Sequence, residues 1–265
     1  MVSGPDTSTI SSIADLATSL TKLSRPIIAS SFRLNPELSQ KSDASPVTVA
    51  DVTVEKTLRE AIHSVFPDHN IIGEEHGETT NNSPFTWVID PIDGTRAFSC
   101  GNPMFGTLIA VLHENNPVIG IIDLPMMHQT WIGIDGQDTR LNGELVTTSS
   151  QTMLDQARLT TTSGHALGGD YPRFEQLSRA TMVTGFGGDC ANYAHLAAGW
   201  CDLVAESHLN AHDIMAAIPV INGAGGRITQ WDGRAITLDG YDGTALASAT
   251  PSLHDKAIIA LSLQA

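Results

Sequence analysis

The stretch Asp90-Pro-Ile-Asp-Gly-Thr95 brings two carboxylates, a proline, a glycine and a hydroxyl close together. The apolar run Trp87–Ile89 reads as a strand that ends in Asp90, because Pro91 has no N–H to continue a ladder. Asp93 stands three positions after Asp90 across a tight turn, so both carboxylates can reach one small volume. The carbonyl of Ile92 lies between them. Ligands that are all oxygen favour Mg2+ or Mn2+ over Zn2+. Gly94 lets backbone approach a ligand, and a helix beginning at Thr95 would turn free N–H groups towards an anion. Metal ligands beside phosphate donors are what hydrolysis of a phosphate ester requires. A plainer role also fits, in which Asp93 only caps a helix. In isolation the stretch allows either.

Four further acidic residues invite the same pair of readings. Gly73-Glu-Glu75 follows the apolar run Asn70-Ile-Ile, so Glu74 and Glu75 sit at a strand end, as metal ligands or as solvated loop residues. Asp51 lies three residues after Thr48, a capping-box spacing in the first turn of a helix. Asp213 stands in the same relation to Asn210. Taken one at a time, each is accounted for by capping or solvation.

The elements that must carry these residues are legible from periodicity. Ile10, Ile13, Leu16, Leu20, Leu23 and Ile27 recur every three or four residues and predict an amphipathic helix, bent or restarted at Pro26. The polar segment Gln40 to Pro46 reads as an exposed, mobile loop. A second helix is predicted from Thr48 to Val65, burying Val54, Leu58, Ala61, Ile62 and Val65. The period then shortens to that of strands at Asn70–Gly73, Thr86–Ile89, Gly106–Leu112, Val118–Ile122 and Thr130–Ile134. The turn Leu141-Asn-Gly143 marks the join between two lobes, 1–146 and 147–265. Beyond it, strands are expected at Arg158–Thr162, Leu203–Ala205, Arg227–Thr229 and Ala245–Ala249. Helices are expected at Pro172–Met182, Ala191–Ala198, Asp213–Ile221 and from Ser252. Mixed sheets layered with helices follow as the fold class.

The chain has 265 residues, enough for a sizeable core, with 41% hydrophobic and 16% charged residues. Its 29 acidic and 14 basic side chains leave a net charge of −15, which disfavours nucleic acid and anionic membranes as partners. It would also repel a phosphate ester unless bound cations reversed the sign locally. No apolar run approaches the ~18–20 residues of a membrane span. Met1–Thr9 is polar with one acid and reads as neither a secretory nor a transit leader. Cys100, Cys190 and Cys201 show no paired spacing, so reduced thiols in the cytoplasm are expected.

Order along the chain changes the balance between the readings. Lys41-x-Asp-x-Ser-Pro-Val-Thr-x-Ala-Asp51, Gly73-Glu-Glu75, Asp90-Pro-Ile-Asp-Gly-Thr95, Asp213 and Gly223-Ala-Gly-Gly226 together resemble the inositol-monophosphatase superfamily, from about Ile10 to the C-terminus. The resemblance implies an αβαβα layered sandwich, usually dimeric, with two or three Mg2+ per site and Mn2+ able to substitute. Many members are inhibited by lithium. It matches Glu74, Asp90 and the Ile92 carbonyl to the ligands of a first metal, and Asp90, Asp93 and Asp213 to those of a second. Thr95 and Asp51 match the pair that activates the attacking water, with Glu74 close by. Asp93, Gly94 and Thr95 match the phosphate-binding positions. The implied chemistry is metal-assisted hydrolysis of a small phosphorylated metabolite without a phosphoenzyme.

The residues after Gly94-Thr95 differ among substrate classes. Here Arg96-Ala-Phe98, the run Gly101-x-Pro-x-x-Gly-Thr-Leu-Ile-Ala110 and the block Gly187–Glu206 resemble the histidinol-phosphatase branch, which serves histidine biosynthesis. Histidinol phosphate carries an ammonium and an imidazole, so its pocket should supply carboxylates. Asp189 and Glu206 are the candidates beside Arg96. Glu206 matches the family position that contacts the alcohol, and Asp189 serves either as a contact or as a helix cap. Two features depart from the pattern. Gly185 stands where the branch commonly has arginine, and Ala211-His-Asp-Ile replaces the Trp-Asp of inositol phosphatases. An inositol-monophosphatase or a broad sugar or nucleotide phosphatase is the alternative enzyme. A catalytically silent metal- or phosphate-binding regulator is the alternative of another class.

Other patterns are set aside. His208 and His212 stand four apart without the glutamate of an HExxH zinc site, and His212 is read as lining the site or standing behind its ligands rather than as a ligand. Gly223-x-Gly-Gly226 lacks the preceding strand of a dinucleotide fingerprint. Trp87 and Trp131 are read as core.

Overall fold

A computed structural model describes residues 6–34, 39–40, 46–47 and 49–262. The first helix, α1 (Thr7–Ser31), precedes a short strand pair, β1 (Ser39–Gln40) and β2 (Pro46–Val47), and then α2 (Val49–Val65). Most of the loop expected from Gln40 to Pro46 lies outside the described residues, as does Thr48 of the capping box expected for Asp51. Next come β3 (Asn70–Gly73), β4 (Gly77–Thr79), β5 (Phe85–Asp93) and the short α3 (Thr95–Ser99). They are followed by β6 (Gly106–His113), β7 (Asn116–Leu124), β8 (Gln129–Ile134), β9 (Arg140–Leu141) and β10 (Glu144–Leu145). The remaining chain forms β11 (Arg158–Thr161), α4 (Tyr171–Ala180), β12 (Val183–Phe186), α5 (Cys190–Ala197) and β13 (Leu203–Glu206). It ends with α6 (Ala211–Ile214), α7 (Ala217–Gly223), β14 (Arg227–Thr229), β15 (Ala245–Ser248) and α8 (Pro251–Ser262).

Among the described residues β3 to β10 make one sheet in the order β10-β9-β8-β7-β6-β5-β3-β4, antiparallel except where β3 runs parallel to β5. Alternation along its central strands separates two cores. Ile109, Val111, Ile119 and Ile121 face α1 and α2, whereas Leu108, Ala110, Leu112 and Ile122 face α5 and α7. The second sheet, β12-β11-β13-β15-β14, turns Val204, Ala245 and Ala247 towards the same α5 and α7. Its other face packs Leu159, Leu203 and Leu246 on α4 and α8. The layers therefore run helix, sheet, helix, sheet, helix, the αβαβα sandwich expected. Gly120 and Gly133 face each other across β7 and β8 and admit the helical layer: a β-carbon at Gly120 would lie 2.0 Å from the Ala216 carbonyl oxygen. No helix among the described residues is long and apolar enough to cross a membrane.

Four local expectations are corrected. α1 does not restart at Pro26; it runs as one helix to Ser31, with Ile28 fully buried beyond the proline. The lost helical bond costs ~3 kcal/mol, which packing of both flanks offsets. Val65 is exposed, because the helix ends there and Phe66 turns inward to pack on His69 and Trp87. The helix expected over Asp213–Ile221 is two helices, since Pro219 has no N–H for the Met215 carbonyl one turn earlier. β5 does not stop at Asp90; its ladder skips Pro91 and Ile92 and resumes at Asp93 opposite Gly106. The edge strand β12 was not anticipated. It is largely exposed and so carries no apolar alternation to read.

Candidate active site

At the end of its regular pairing β5 delivers Asp90, which is buried and accepts the Ile92 N–H at 3.0 Å on Oδ1. This short turn lets the backbone leave the ladder. The Thr107 hydroxyl donates to the Pro91 carbonyl at 2.9 Å, and the Thr95 hydroxyl to the Ile92 carbonyl at 3.1 Å. Gly94 follows at φ 88°, in the left-handed region, and a β-carbon there would lie 3.1 Å from the Asp189 carboxylate. Phe98 anchors α3 by packing 5.7 Å from Phe32 and 5.1 Å from Phe105, centroid to centroid.

Around this turn the acidic residues converge from separate elements. Ligand atoms of Asp90, Asp93 and Asp213 all lie within 4.8 Å of one another, and so do those of Glu74, Asp90 and His212. Asp90 belongs to both groups. Glu74 follows β3, with its N–H donating to the Ile89 carbonyl at 3.3 Å. Asp213 does cap its helix, taking the Asn210 N–H at 2.6 Å, and joins the cluster with its side chain all the same. Asp93 does not cap α3; its Oδ2 accepts the Cys190 N–H at 2.5 Å from the start of α5. Asp51 is fully buried in the first turn of α2.

Burial, and then the charges of Glu74, Asp93 and Asp213, push the Asp90 carboxyl well above its ordinary range. Burial and the charge of Asp189 do the same to Asp93, against the opposing bond from Cys190. Burial also raises Asp213. Carboxylates held this close repel one another unless a cation lies between them. An all-oxygen set with one imidazole fits a hard divalent ion. Glu74, Asp90, Asp93, Asp213, His212 and the Ile92 carbonyl are the groups able to hold it. A cavity of about 220 Å3 lies over them, lined also by Gly94 and Thr95.

A second cavity, of about 300 Å3, shares Asp93, Arg96, Asp189 and Asp213 with the first and reaches Thr162, Tyr193, Glu206 and His208. Glu206 is buried and fully engaged. Oε1 accepts the Thr162 N–H at 2.9 Å and the Thr162 hydroxyl at 2.5 Å, and Oε2 accepts the Tyr193 hydroxyl at 2.9 Å. Burial raises its carboxyl despite these donors. Asp189 occupies the N-cap position of α5 without making a side-chain cap bond. Burial and the charge of Glu206 push it up to about 7, and Arg96 opposes them. Arg96 is exposed at the rim shared by the two cavities. Gly185 lies on the exposed edge strand β12 and lines neither cavity.

Sequence reasoning passed over four participants. His212 is expected only to line the site or stand behind its ligands, yet its ring lies within ligand reach of Glu74 and Asp90. Thr162 and Tyr193 hold Glu206, and no spacing pointed to them. Cys190 gives Asp93 both its backbone N–H and a bond from its thiol, links that no spacing announces.

An acidic cluster able to hold a cation and opening into a cavity, on an αβαβα sandwich, is the arrangement of a class of metal-dependent phosphatases. The profile of the inositol monophosphatase family matches residues 10–264, and the chain belongs to that family. It is similar to "Bifunctional phosphatase IMPL2, chloroplastic" of Arabidopsis thaliana, 38% identical over 257 residues, covering 94% of this chain and 74% of that protein. The histidinol-phosphatase of Mycobacterium tuberculosis is 31% identical, covering 86% of this chain and 89% of the relative. Among solved structures, an inositol monophosphatase from Zymomonas mobilis superposes with a TM-score of 0.87 at 36% identity, covering 96% and 98% of the two chains. The family is metal-dependent and acts on small phosphorylated substrates.

Proposed function

We propose that the chain hydrolyses histidinol phosphate to histidinol and phosphate, with Mg2+ as its cofactor. The observation that carries this reading is the pair of carboxylates, Asp189 and Glu206, lining the cavity beside the acidic cluster. A pocket for inositol needs hydroxyl partners, whereas an ammonium and an imidazole call for negative charge. The resemblance of Arg96-Ala-Phe98 and of the Gly187–Glu206 block to histidinol-phosphatases points the same way.

Glu74, Asp90 and the Ile92 carbonyl would hold one ion, and Asp90, Asp93 and Asp213 another. Bound there, such ions supply Lewis acidity and make water a stronger acid. The chain's own groups do the rest. The N–H groups of Gly94 and Thr95 hold phosphate oxygens, and Asp93 borders the same phosphate site. Thr95 and Asp51 orient the attacking water and take its proton, with Glu74 beside them. Arg96 stands at the rim, where a phosphate ester enters. Residues 1–146 and 147–265 act as two lobes of one catalytic unit, working as a cytoplasmic homodimer.

A second reading, inositol-monophosphatase or broad phosphatase activity, is favoured by Gly185, which leaves the branch's arginine missing, and by the likeness to the Zymomonas enzyme. Phosphate release from histidinol phosphate, inositol phosphate and a nucleoside bisphosphate under Mg2+ separates the two. Histidinol phosphate is expected to have the highest kcat/KM. A higher value for inositol phosphate would overturn the assignment.

A further inference from the structure

Glu55 lies four residues after Asp51 on the buried face of α2, and its side chain is completely shielded from solvent. Its carboxylate reaches the turn that joins β3 to β4. Oε2 accepts the Glu75 N–H at 2.6 Å, and Oε1 accepts the His76 N–H at 3.1 Å. The Arg59 guanidinium balances the charge at 2.7 Å from Oε1 and extends to the Gly77 carbonyl and the Thr79 hydroxyl. Gly73 leaves room for this approach, since a β-carbon there would lie 2.0 Å from Glu55 Oε1. On the opposite side the Glu74 N–H is bound to the Ile89 carbonyl of β5. Three consecutive amides, those of Glu74, Glu75 and His76, are thus fixed by two different elements.

A buried ion pair is a poor stabiliser, and apolar residues of similar volume commonly serve a fold as well or better. Its presence here calls for another reason, and the turn it holds carries Glu74. We propose that Glu55 is a positioning residue for Glu74, holding that carboxylate at the distance from Asp90 and His212 at which a divalent cation can be shared. The inference rests on reading the acidic cluster as a cation site. Partners that orient metal ligands are typically worth 10–100-fold in metal affinity. Glu55→Gln keeps the volume but turns one acceptor into a donor facing an N–H group. Gly73→Ala instead displaces the carboxylate from the turn.

The test titrates the metal-free wild type and both variants with Mn2+, following free ion by electron paramagnetic resonance, and measures metal-free melting temperatures in parallel. Either folded variant is expected to bind Mn2+ about 10–100-fold more weakly, with the melting temperature changed far less than a lost core contact would change it. A purely structural role would lower melting and leave the Mn2+ affinity of the folded protein alone. Wild-type affinity in a folded variant overturns the role of Glu55 while leaving the cation site intact. Failure of the wild type to bind Mn2+ overturns the cation site itself, and the inference with it.

Discussion

The Asp93 carboxylate accepts the backbone N–H of Cys190 at 2.5 Å, joining the end of β5 to the start of α5 across 97 positions of sequence. A helix start carries partial positive charge and unpaired N–H groups. That bond therefore offsets part of the repulsion Asp93 meets from Asp189 and Asp213. It also fixes the wall of the second cavity relative to the acidic cluster, because Asp189 immediately precedes Cys190.

Replacing Asp93 by asparagine removes one charge from the cluster and weakens this link. Turnover is expected to fall by roughly three orders of magnitude, the scale of losing a main electrostatic contributor. Steady-state assays at saturating Mg2+ check this, and an unchanged kcat would remove Asp93 from the mechanism.

Metal and pH should be linked. Asp90, Asp93 and Asp213 are raised, and Asp189 is pushed up to about 7. From the ordinary carboxylate range up to about 7, the unfolded chain has released protons that the metal-free fold still holds. These groups therefore lower metal-free stability as pH rises. A divalent cation favours their ionised forms and cancels that loss. The melting-temperature difference between Mg2+ and chelator should widen as pH rises from about 4 to about 7. His254, lowered by burial to about 4, acts in the opposite direction but cancels in the difference. A constant difference across that range would contradict the linkage.

Tyr193→Phe deletes the hydroxyl donated to Glu206 Oε2 and little else. A hydrogen bond to a charged group is worth ~1.5–3 kcal/mol, so KM for the preferred substrate should rise at least ~10-fold while kcat changes little. An unaltered KM would show that Glu206 does not contact the substrate.

Arg25→Met should weaken the fold and spare the chemistry. Arg25 pairs with the fully buried Asp123 at 2.6 Å and tethers α1 to β7, with the Thr130 hydroxyl completing the group. Leaving that carboxylate buried and unpaired costs about 3–5 kcal/mol, readable as a lower denaturation midpoint. A loss below 1 kcal/mol would mean that water replaces the guanidinium.

Much of the fold was legible in the residues because strand and helix periods are local. β3 and the central runs of β5 to β8 alternate between two apolar cores and announce themselves within a few residues. Breaks in that pattern were harder to read. The division between α6 and α7 turns on a single missing N–H at Pro219, and Phe66 rather than Val65 faces inward because the chain bends where α2 ends.

The same division holds for the stretch from Asp90 to Thr95. Sequence alone determined its chemistry: carboxylates at a strand end, a proline that interrupts the ladder, and a glycine whose left-handed φ was still to be seen. The order of motifs along the chain already set Glu74 and Asp213 beside it; only the tertiary structure decided that His212 joins them, that Cys190 binds Asp93, and that Glu55 holds the turn carrying Glu74. Those residues come from β3, α6, α5 and α2, whose mutual distances depend on how two sheets stack about a shared helical layer. Residue type and spacing encode what a group can do and the local element it favours. Which groups meet is set by long-range packing, which no single segment contains.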